Sequence, residues 1–446
     1  MMTGKRLTGS QRVQKFRTML HAKAKEEPER RFHALIDKVW RMDFLTEAWH
    51  KVRLNGGSGG VDGETFEHIE TYGVERWLGE LSQELREASY TPKAVRQVLI
   101  PKKQPGQVRP LGIPCIRDRV VQTSAMLVLE PIFEADLQPE QYAYRPDRSA
   151  TDAVKRIHRL LNTGHNEVVD GDLSNYFGEI PHAELMKSIA RRVSDGRMLG
   201  LIKAWLEMPV EEDDGKGGTR RTNRARKDRK GTPQGAPISP LLSNLYMRRF
   251  ILGWKVLGYA RRFRSEIVNY ADDFCVLGTA PAAEMLSAVK QIMDNLKLTI
   301  NDDKTRCLRC PQEPLEFLGY RIGRTYRPHG AGAYIGTRPS KASVQSICRK
   351  ISAQTAAKYG LMGSQDVVRR LNRMLSGWAN YYYLGQVNPA YAAIDAHTTK
   401  RLRQWLCRKH KVKAGKYARF PSERLWKDYG LLRLEPMTKR LPWAKA

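Results

Sequence analysis

Two adjacent aspartates, Asp272 and Asp273, stand between two short apolar runs in residues 267–277. Each run has the length and the aromatic or β-branched content of a strand, so the stretch predicts a β-hairpin with the acidic pair at or beside its turn. Neighbouring carboxylates repel each other, which makes the pair a costly choice for stability alone. A divalent cation would remove that repulsion, and hard oxygen ligands suit Mg²⁺. The rest of the chain should then supply a further carboxylate and groups that bind phosphate.

A second acidic stretch contains candidates for the third carboxylate. Asp170 and Asp172 end an apolar run that predicts a strand, and they share one strand face because side chains alternate with a period of two. Either aspartate could instead cap the helix that we expect over residues 183–191, although Ser174 suits that role better. The pattern alone leaves open which of the two aspartates joins the hairpin.

A basic ribbon is expected upstream of both acidic stretches. Residues 95–100 alternate well enough for a strand, and residues 104–107 have the composition of a turn, so the pattern predicts a second hairpin. Arg96, Lys102 and Arg109 would lie on this ribbon. Three cations on one ribbon suit a triphosphate, and a solvated basic hairpin is the equal alternative.

The charge balance favours a nucleic-acid partner. The 446 residues include 77 Lys and Arg against 47 Asp and Glu, a net charge of +30 that is spread through the chain. Such a chain repels itself unless a polyanion neutralises it; a basic ribosome-associated or membrane-surface protein is the alternative. No apolar run is long enough for a transmembrane helix, and no secretory signal is visible. Six scattered cysteines lack zinc spacing and indicate free thiols in a reducing cytosol.

Three other stretches allow more than one interpretation. The glycine-rich residues 54–63 lack the pattern of a nucleotide P-loop, but a loop close to a nucleic-acid backbone stays open. Residues 211–230 are a charged insert that we expect to be a loop, either solvated or in contact with phosphates. From about residue 340 helical patterns dominate, and the tyrosines at 381–383 are expected to be mostly core rather than a stacking surface for bases.

Four motifs occur in the order found in one known family. They are Ile-Pro-Lys…Arg-Pro-Leu-Gly-Ile-Pro at 100–114, Gly-Thr-Pro-Gln-Gly at 231–235, Tyr-Ala-Asp-Asp at 270–273 and Leu-Glu-Phe-Leu-Gly-Tyr at 315–320. Together they resemble the reverse transcriptases encoded by bacterial group II introns, also called intron maturases. The resemblance runs from about residue 50 to about residue 435, and residues 371–382 and 419–426 are similar to that family's thumb (X) domain and to the segment after the thumb.

The resemblance implies an α+β right-hand polymerase. Fingers and palm would be built from an antiparallel sheet and helices, and an all-α thumb (X) domain would come after them. The implied domains are a basic helical N-terminal extension (1–50), a fingers extension with the glycine-rich loop (51–95), the reverse transcriptase fingers and palm (96–335), the thumb (336–415) and a short basic C-terminal segment (416–446).

The resemblance also implies roles for single residues. Asp172, Asp272 and Asp273 match the three palm carboxylates, which in the family hold two Mg²⁺ ions for phosphoryl transfer. Asp273 fits this set less simply, because adjacent residues on a strand point to opposite faces. The other matches are the triphosphate contacts Arg96, Lys102 (with Lys103 competing) and Arg109, the steric gate Phe177, which would exclude a ribose 2′-hydroxyl, Gln234 near the templating base pair, Lys304 near the palm, and the primer grip at Gly319 and Tyr320.

The implied function is that of an RNA-directed DNA polymerase of a group II intron that also binds intron RNA and assists splicing and retrohoming. The expected partners are an RNA template, the intron RNA, a DNA primer or target and deoxynucleoside triphosphates, with no membrane partner. The expected location is the bacterial cytoplasm, and a homodimer is left open. Two alternatives remain: an RNA-binding splicing factor with incidental polymerase activity, and a domesticated reverse transcriptase in defence or DNA repair.

The chain departs from the family pattern at a few positions. Gly178 stands where an Asp commonly comes after the gate, and Ala143-Tyr144 replaces the usual Gly-Phe. Neither change removes a metal ligand, so an active polymerase is still expected. No paired CxxC motifs with an HNH signature stand after the thumb-like region, so we expect the HNH endonuclease of many relatives to be absent.

Overall fold

The computed structural model describes residues 7–101, 108–215, 218–326 and 332–440 of the chain, which is a mixture of helices and sheets. Two short 3₁₀ helices cover Ala357–Tyr359 and Glu435–Arg440. No helix in these ranges combines the length and the hydropathy that crossing a bilayer requires. The α-helices are α1 (Gly9–Glu26), α2 (Ile36–Val39), α3 (Met42–Asn55), α4 (Phe66–Tyr72), α5 (Val74–Glu87), α6 (Ile116–Glu134), α7 (Ala150–Asn162), α8 (Tyr176–Glu179), α9 (His182–Ala190), α10 (Gly196–Leu206), α11 (Arg224–Asp228), α12 (Ser239–Val256), α13 (Tyr259–Arg262), α14 (Ala282–Asn295), α15 (Lys341–Gln354), α16 (Ser364–Tyr381), α17 (Asn388–Lys409), α18 (Lys416–Arg419) and α19 (Ser422–Lys427).

The strands of the described residues form three sheets. The N-terminal sheet has the order β2-β1-β4-β5, the central sheet β6-β7-β3-β8 and the C-terminal sheet β11-β10-β9, where the strands are β1 (Val95–Pro101), β2 (Val108–Ile113), β3 (Glu167–Asp172), β4 (Val210–Asp213), β5 (Thr219–Thr222), β6 (Glu266–Tyr270), β7 (Asp273–Gly278), β8 (Arg306–Arg309), β9 (Leu315–Phe317), β10 (Tyr320–Tyr326) and β11 (Ala333–Pro339). Both hairpins predicted from the sequence, β1–β2 and β6–β7, are therefore confirmed as antiparallel pairs.

The central sheet is buried on both faces. Val169 and Phe274 pack into the larger apolar core of the chain, while Val168 and Val268 pack into a second core. Helix α14 contacts β3, and helix α7 contacts β6 and β7. Because neighbouring residues of one strand enter different cores, these strands are continuous apolar runs rather than alternating ones.

The charged insert at residues 211–230 was expected to be a loop, and this expectation is wrong for its described part, which forms two strands and a short helix. Strand β4 extends the N-terminal sheet by pairing in parallel with β1, and β5 returns antiparallel to it. The register places Glu211 opposite Arg221 and Glu212 opposite Arg220. Opposite charges facing each other across a strand pair stabilise the pairing, so the run of acids followed by a run of arginines encodes a hairpin.

The chain after Ser340 is helical in its described part and has its own core. Leu371 and Leu375 of α16 pack with Ile394, Leu402 and Trp405 of α17 in this third core. The tyrosines at 381–383 are half-buried at the end of α16, where they pack against the second core instead of forming an open stacking surface. Their expected core role is confirmed.

A buried arginine attaches the N-terminal helix to the rest of the chain. Arg192 is fully buried and pairs with Asp136 at 3.3 Å. Its guanidinium donates to the carbonyl of Ala24 at 2.7 Å, in the last turn of α1, and to the carbonyl of Pro28. A cation at the C-terminal end of a helix also interacts favourably with the helix dipole.

We expect Arg192→Ala to lower the free energy of unfolding by about 3–5 kcal/mol, because it leaves Asp136 buried without its charge partner. Arg191→Ala is the matched control, since Arg191 is the exposed arginine next to it, and it should change stability by less than about 0.5 kcal/mol. Urea unfolding followed by circular dichroism measures both. Equal effects of the two substitutions would show that the buried Arg192–Asp136 pair contributes no more to the free energy of unfolding than an exposed arginine does.

Candidate active site

The acidic residues meet at one end of the central sheet. Strand β3 ends at Asp172, β7 begins at Asp273, and the register places these two residues directly opposite each other. Ala271 and Asp272 form the turn between β6 and β7. Ala271 has φ +58°, a conformation that costs energy for any residue with a side chain.

The turn is held from below by one buried side chain. Asn269 is fully buried, and its amide nitrogen donates to the carbonyl oxygens of Ala271 at 2.8 Å and Asp273 at 3.3 Å. These bonds support the left-handed Ala271 and direct Asp272 away from the sheet. The expected difficulty from strand alternation therefore concerns Asp273 alone: Asp272 belongs to the turn and lines the large cleft beside it, whereas Asp273 belongs to strand β7 and does not line that cleft.

Crowding changes the acidity of the pair. Burial and the neighbouring charges of Asp272, Asp172 and Asp170 raise the pKa of Asp273 from its ordinary 3.8 to about 7. Burial is also the main cause that raises the pKa of Asp272, with Asp172 adding to it. The charged forms of both carboxylates are therefore disfavoured unless a cation approaches.

The other two aspartates of this cluster already have cationic partners. Lys304 Nζ donates to Asp172 Oδ2 at 3.0 Å, and Asn301 donates to the same oxygen at 3.2 Å. Arg306 pairs with Asp170 at 2.8 Å on the neighbouring strand. Of the two candidates on β3, Asp172 is the one that lines the large cleft beside the turn, and Asp170 is paired beneath it.

This cleft of about 1570 Å³ opens beside the carboxylates and brings together six of the predicted site residues. Its walls also include Tyr144 and Arg119, which the sequence reasoning did not select. The six predicted residues that line it are Arg109, Asp172, Phe177, Gln234, Asp272 and Lys304.

The loop at residues 231–235 joins two walls of this cleft. Thr232 N donates to the carbonyl of Phe177 at 2.7 Å, and Gly112 N donates to the carbonyl of Gln234 at 2.6 Å. Gly235 has φ +107°, and a Cβ there would lie 2.3 Å from the Gly112 carbonyl oxygen. Glycine is therefore required for the loop to lie against β2 and to present Gln234 to the cleft.

Arg96 lies elsewhere. Its guanidinium donates to Ser58 Oγ at 2.9 Å and to the carbonyl of Gly59 at 2.8 Å, both in the glycine-rich loop. Arg119 donates to the carbonyls of Gly56 and Ser58 in the same loop. The predicted cation Lys102, with its competitor Lys103, lies outside the described residues, so Arg109 is the one member of the predicted trio placed at the cleft.

The predicted primer-grip residues occupy a tight bend between β9 and β10. Gly319 has φ +79°, and its carbonyl accepts bonds from Ser340 N at 2.8 Å and Ser343 Oγ at 2.9 Å. Tyr320 is fully buried, and its hydroxyl donates to the carbonyl of Tyr381. Its ring is thus part of the core, which leaves only the backbone of this bend for contact with another molecule.

Tyr144 is a residue that the sequence reasoning noticed only as a departure from the family pattern. It has φ +55°, its side chain is 51 % exposed, and it stands on the cleft wall. Burial raises the pKa of its hydroxyl, with Asp272 and Tyr270 adding to the effect and Arg109 opposing it. The left-handed backbone of this bulky residue is the feature that marks it as a candidate functional residue. That conformation cannot be read from the amino-acid composition.

The donor set suits a divalent metal ion. In the part of the chain that the structure describes, Asp272 and Asp273 have no ion-pair partner, whereas Asp170 and Asp172 do. Two unneutralised carboxylates beside Asp172 match the charge and the oxygen preference of Mg²⁺. Across the same described ranges, no three acidic, histidine or cysteine side chains are grouped closely enough to hold a metal ion.

Two sequence families match the chain. The first, reverse transcriptase (RNA-dependent DNA polymerase), matches residues 100–322, which contain the carboxylates and most of the residues that line the cleft. The second, the group II intron maturase-specific domain, matches residues 344–422. The chain belongs to the reverse transcriptase family, in the branch that carries the maturase domain of group II introns.

Individual relatives agree with this assignment. Protein YkfC of Escherichia coli (strain K12) is 30% identical over 357 residues, covering 71% of this chain and 90% of that protein. Group II intron-encoded protein LtrA of Lactococcus lactis subsp. cremoris is 30% identical over 242 residues, 54% of this chain and 37% of LtrA. Nuclear intron maturase 2, mitochondrial, of Arabidopsis thaliana is 32% identical over 114 residues, 26% of this chain and 15% of that protein.

The raised pKa of Asp273 predicts that the metal-free chain loses stability as the pH rises from about 4 to about 7. In this window the folded state keeps a proton that the unfolded chain has released, so unfolding becomes easier with rising pH. A pKa raised by roughly three units corresponds to at most about 4 kcal/mol. Denaturant unfolding in EDTA at a series of pH values measures the slope.

Asp273→Asn removes the titrating group and should flatten this part of the profile, as should Mg²⁺, which takes the place of the proton. Parallel pH profiles for the wild type and Asp273→Asn would contradict the assignment.

Proposed function

We propose that the chain synthesises DNA on an RNA template, with Asp172, Asp272 and Asp273 as ligands of two Mg²⁺ ions. The observation that supports this most is that Asp172 and Asp272 line one cleft in a chain of the reverse transcriptase family, and that Asp273 lies directly opposite Asp172 in the strand register. In this proposal the N-terminal sheet belongs to the fingers, the central sheet to the palm and helices α15–α17 to the thumb, in a cytoplasmic bacterial protein.

The chain's own residues prepare the site for the metal. When bound, Mg²⁺ would activate the primer 3′-hydroxyl and neutralise the charge of the triphosphate and the leaving pyrophosphate. Lys304 and Asn301 both donate to Oδ2 of Asp172 and so hold the orientation of this carboxylate. Among the described residues nothing binds its Oδ1, which would be the oxygen offered to the metal. Lys304 also lines the cleft, where its ammonium would favour a phosphate oxygen.

The substrates are recognised along the cleft walls. Arg109 lines the cleft and would supply a cation for the triphosphate, and we propose that Lys102 supplies another. Arg96 can join them only by releasing Ser58 and Gly59, so triphosphate binding and the position of the glycine-rich loop would be coupled. Phe177 would meet the sugar, and Gln234 the templating base pair.

Replacing the adjacent aspartates Asp272 and Asp273 tests the catalytic proposal. Asp272→Ala with Asp273→Ala should reduce cDNA synthesis at least about a thousandfold, because it removes two of three proposed metal ligands and several kcal/mol of transition-state stabilisation. The measurement is primer extension on an RNA template with Mg²⁺.

Asp302→Ala with Asp303→Ala is the matched control, since these adjacent acids are exposed outside the cleft. The control should keep its activity, and both proteins should bind template–primer as the wild type does. Full cDNA synthesis by the Asp272/Asp273 variant would refute the proposal.

A second prediction concerns the sugar. Phe177→Ala should raise the efficiency of ribonucleotide incorporation relative to deoxynucleotide incorporation by about a hundredfold, because the space for a 2′-hydroxyl opens. Phe177→Tyr keeps the bulk of the ring and should keep the selectivity. Single-nucleotide kcat/KM for matched dNTP and rNTP pairs measures the ratio. An unchanged ratio in Phe177→Ala would mean that another residue excludes the 2′-hydroxyl, and Tyr144 is the next candidate on the cleft wall.

A second function is favoured by the match of residues 344–422 to the maturase-specific domain and by the net charge of +30. We propose that the chain also binds a group II intron RNA and assists its splicing. This role needs RNA binding and no nucleotidyl transfer, so the Asp272/Asp273 variant should still promote splicing of a cognate intron at low Mg²⁺. If the Asp272/Asp273 variant loses splicing as well as polymerisation while it keeps its RNA affinity, this separation of roles is contradicted.

A further inference from the structure

The C-terminal sheet carries two arginines directly opposite each other. Arg321 of β10 pairs in register with Arg338 of β11 and, on its other side, with Glu316 of β9. Like charges at directly opposed positions destabilise a strand pair. Glu316 lies 4.0 Å from Arg321, and both side chains are about 40 % exposed, so this weak pair does not offset the repulsion.

Arg338 has no partner among the described residues. Its side chain makes no hydrogen bond, ion pair or ring contact within the part of the chain that the structure describes, and it is exposed. The row of three residues therefore keeps one net positive charge, carried by two arginines at directly opposed strand positions. A sheet that only needed stability would avoid this arrangement.

A small pocket lies beside the arginine row. Its volume is about 80 Å³, and Arg321, Arg338 and the exposed Gln312 all line it. The next row of the sheet on the same face is the glycine pair Gly323 and Gly336, which are also directly opposite each other. The two positions beside the arginines therefore carry no side chains of their own, and the pocket is lined there by Pro314 and Thr325.

Both glycines are required by their surroundings. A Cβ on Gly323 would lie 2.9 Å from Cβ of Pro314, and a Cβ on Gly336 would lie 2.3 Å from Oγ1 of Thr325. Pro314 and Thr325 therefore form fixed walls of the pocket. None of the residues that line it lines the polymerase cleft, so it is a separate feature of the surface.

We propose that this pocket binds one phosphate group of a nucleic-acid backbone. Arginine offers paired donors that match two oxygens of a phosphate, and two arginines on one row can hold a single anion between them. The pocket is too small for a base, so the contact would position the strand without reading its sequence. The net charge of +30 makes a polyanion the expected partner. The proposal does not depend on the catalytic carboxylates.

The test uses the full chain with Arg321→Gln and Arg338→Gln combined. Binding of a fluorescent single-stranded RNA of about 20 nucleotides is measured by anisotropy over a series of KCl concentrations. We expect the Kd to rise about tenfold at moderate salt and the salt dependence to fall by about one phosphate contact. A DNA strand of the same length should lose affinity by the same factor, because only the phosphate is recognised.

Arg76→Gln with Lys187→Gln is the matched control. It removes the same two charges, but at exposed side chains that each already have an acidic neighbour at 3.2 Å. If the control weakens binding as much as the arginine pair does, the effect is general charge and the proposal is wrong. An unchanged Kd and salt slope in the Arg321/Arg338 variant overturns it as well.

Two further arms separate folding and ligand source. Arg321→Lys with Arg338→Lys keeps the charges and should retain part of the RNA affinity. If the Lys and the Gln variants both lose RNA affinity and both have a lowered Tm, the loss is a folding effect and the proposal is overturned. The second arm measures thermal unfolding of the wild type in millimolar inorganic phosphate. If phosphate raises the Tm and the Gln variant still binds RNA with the wild-type affinity, the pocket binds free anions and the proposed contact with a nucleic-acid backbone is wrong. Cleft chemistry is checked independently by primer extension at saturating template–primer, which the Gln variant should perform at the wild-type rate.

Discussion

Repulsion among carboxylates at the end of the central sheet is the constraint on which the rest of the site depends. Asp172 and Asp273 are opposed because β3 and β7 pair in one register, and that register is set by apolar side chains on both sheet faces. A slip of one residue would exchange the two cores, so the register is strongly specified. Hydrophobic burial thus enforces an electrostatic arrangement that the aspartates would not adopt alone.

The surroundings neutralise only half of this charge. Lys304 pairs with Asp172 and Arg306 with Asp170, while Asp272 and Asp273 have no ion pair among the described residues. Burial without a cationic partner disfavours the charged form of a carboxylate, so the group keeps its proton to higher pH. The pKa of Asp273 is raised for this reason. Two carboxylates without ion pairs would favour a bound cation, and the raised pKa of Asp273 lets the site hold a proton when no cation is bound.

Local sequence patterns were enough to predict the hairpins and the long helices, but not which strands and loops lie next to each other in the fold. Both hairpins and the long helices are consequences of apolar periodicity and turn residues. The approach of Asp172 to Asp273 joins residues about a hundred positions apart, and strand pairing of that kind leaves no local signal. The hairpin at 211–222 was missed because charges that pair across strands and charges in a solvated loop look the same in a sequence. Arg96 was placed on the correct strand, but its partner, the glycine-rich loop, is set by tertiary packing.

The C-terminal sheet is where the two family matches, residues 100–322 and 344–422, meet. Gly319 accepts a bond from Ser340 at the start of the helical part, and Tyr320 donates to Tyr381 at the end of α16. Three strands therefore connect the half of the chain that carries the cleft to the half that carries the maturase domain. A nucleic acid held at Arg321 and Arg338 would bind at this junction. Both proposed functions would then use the same contact, since a template strand and an intron RNA present the same phosphates to it.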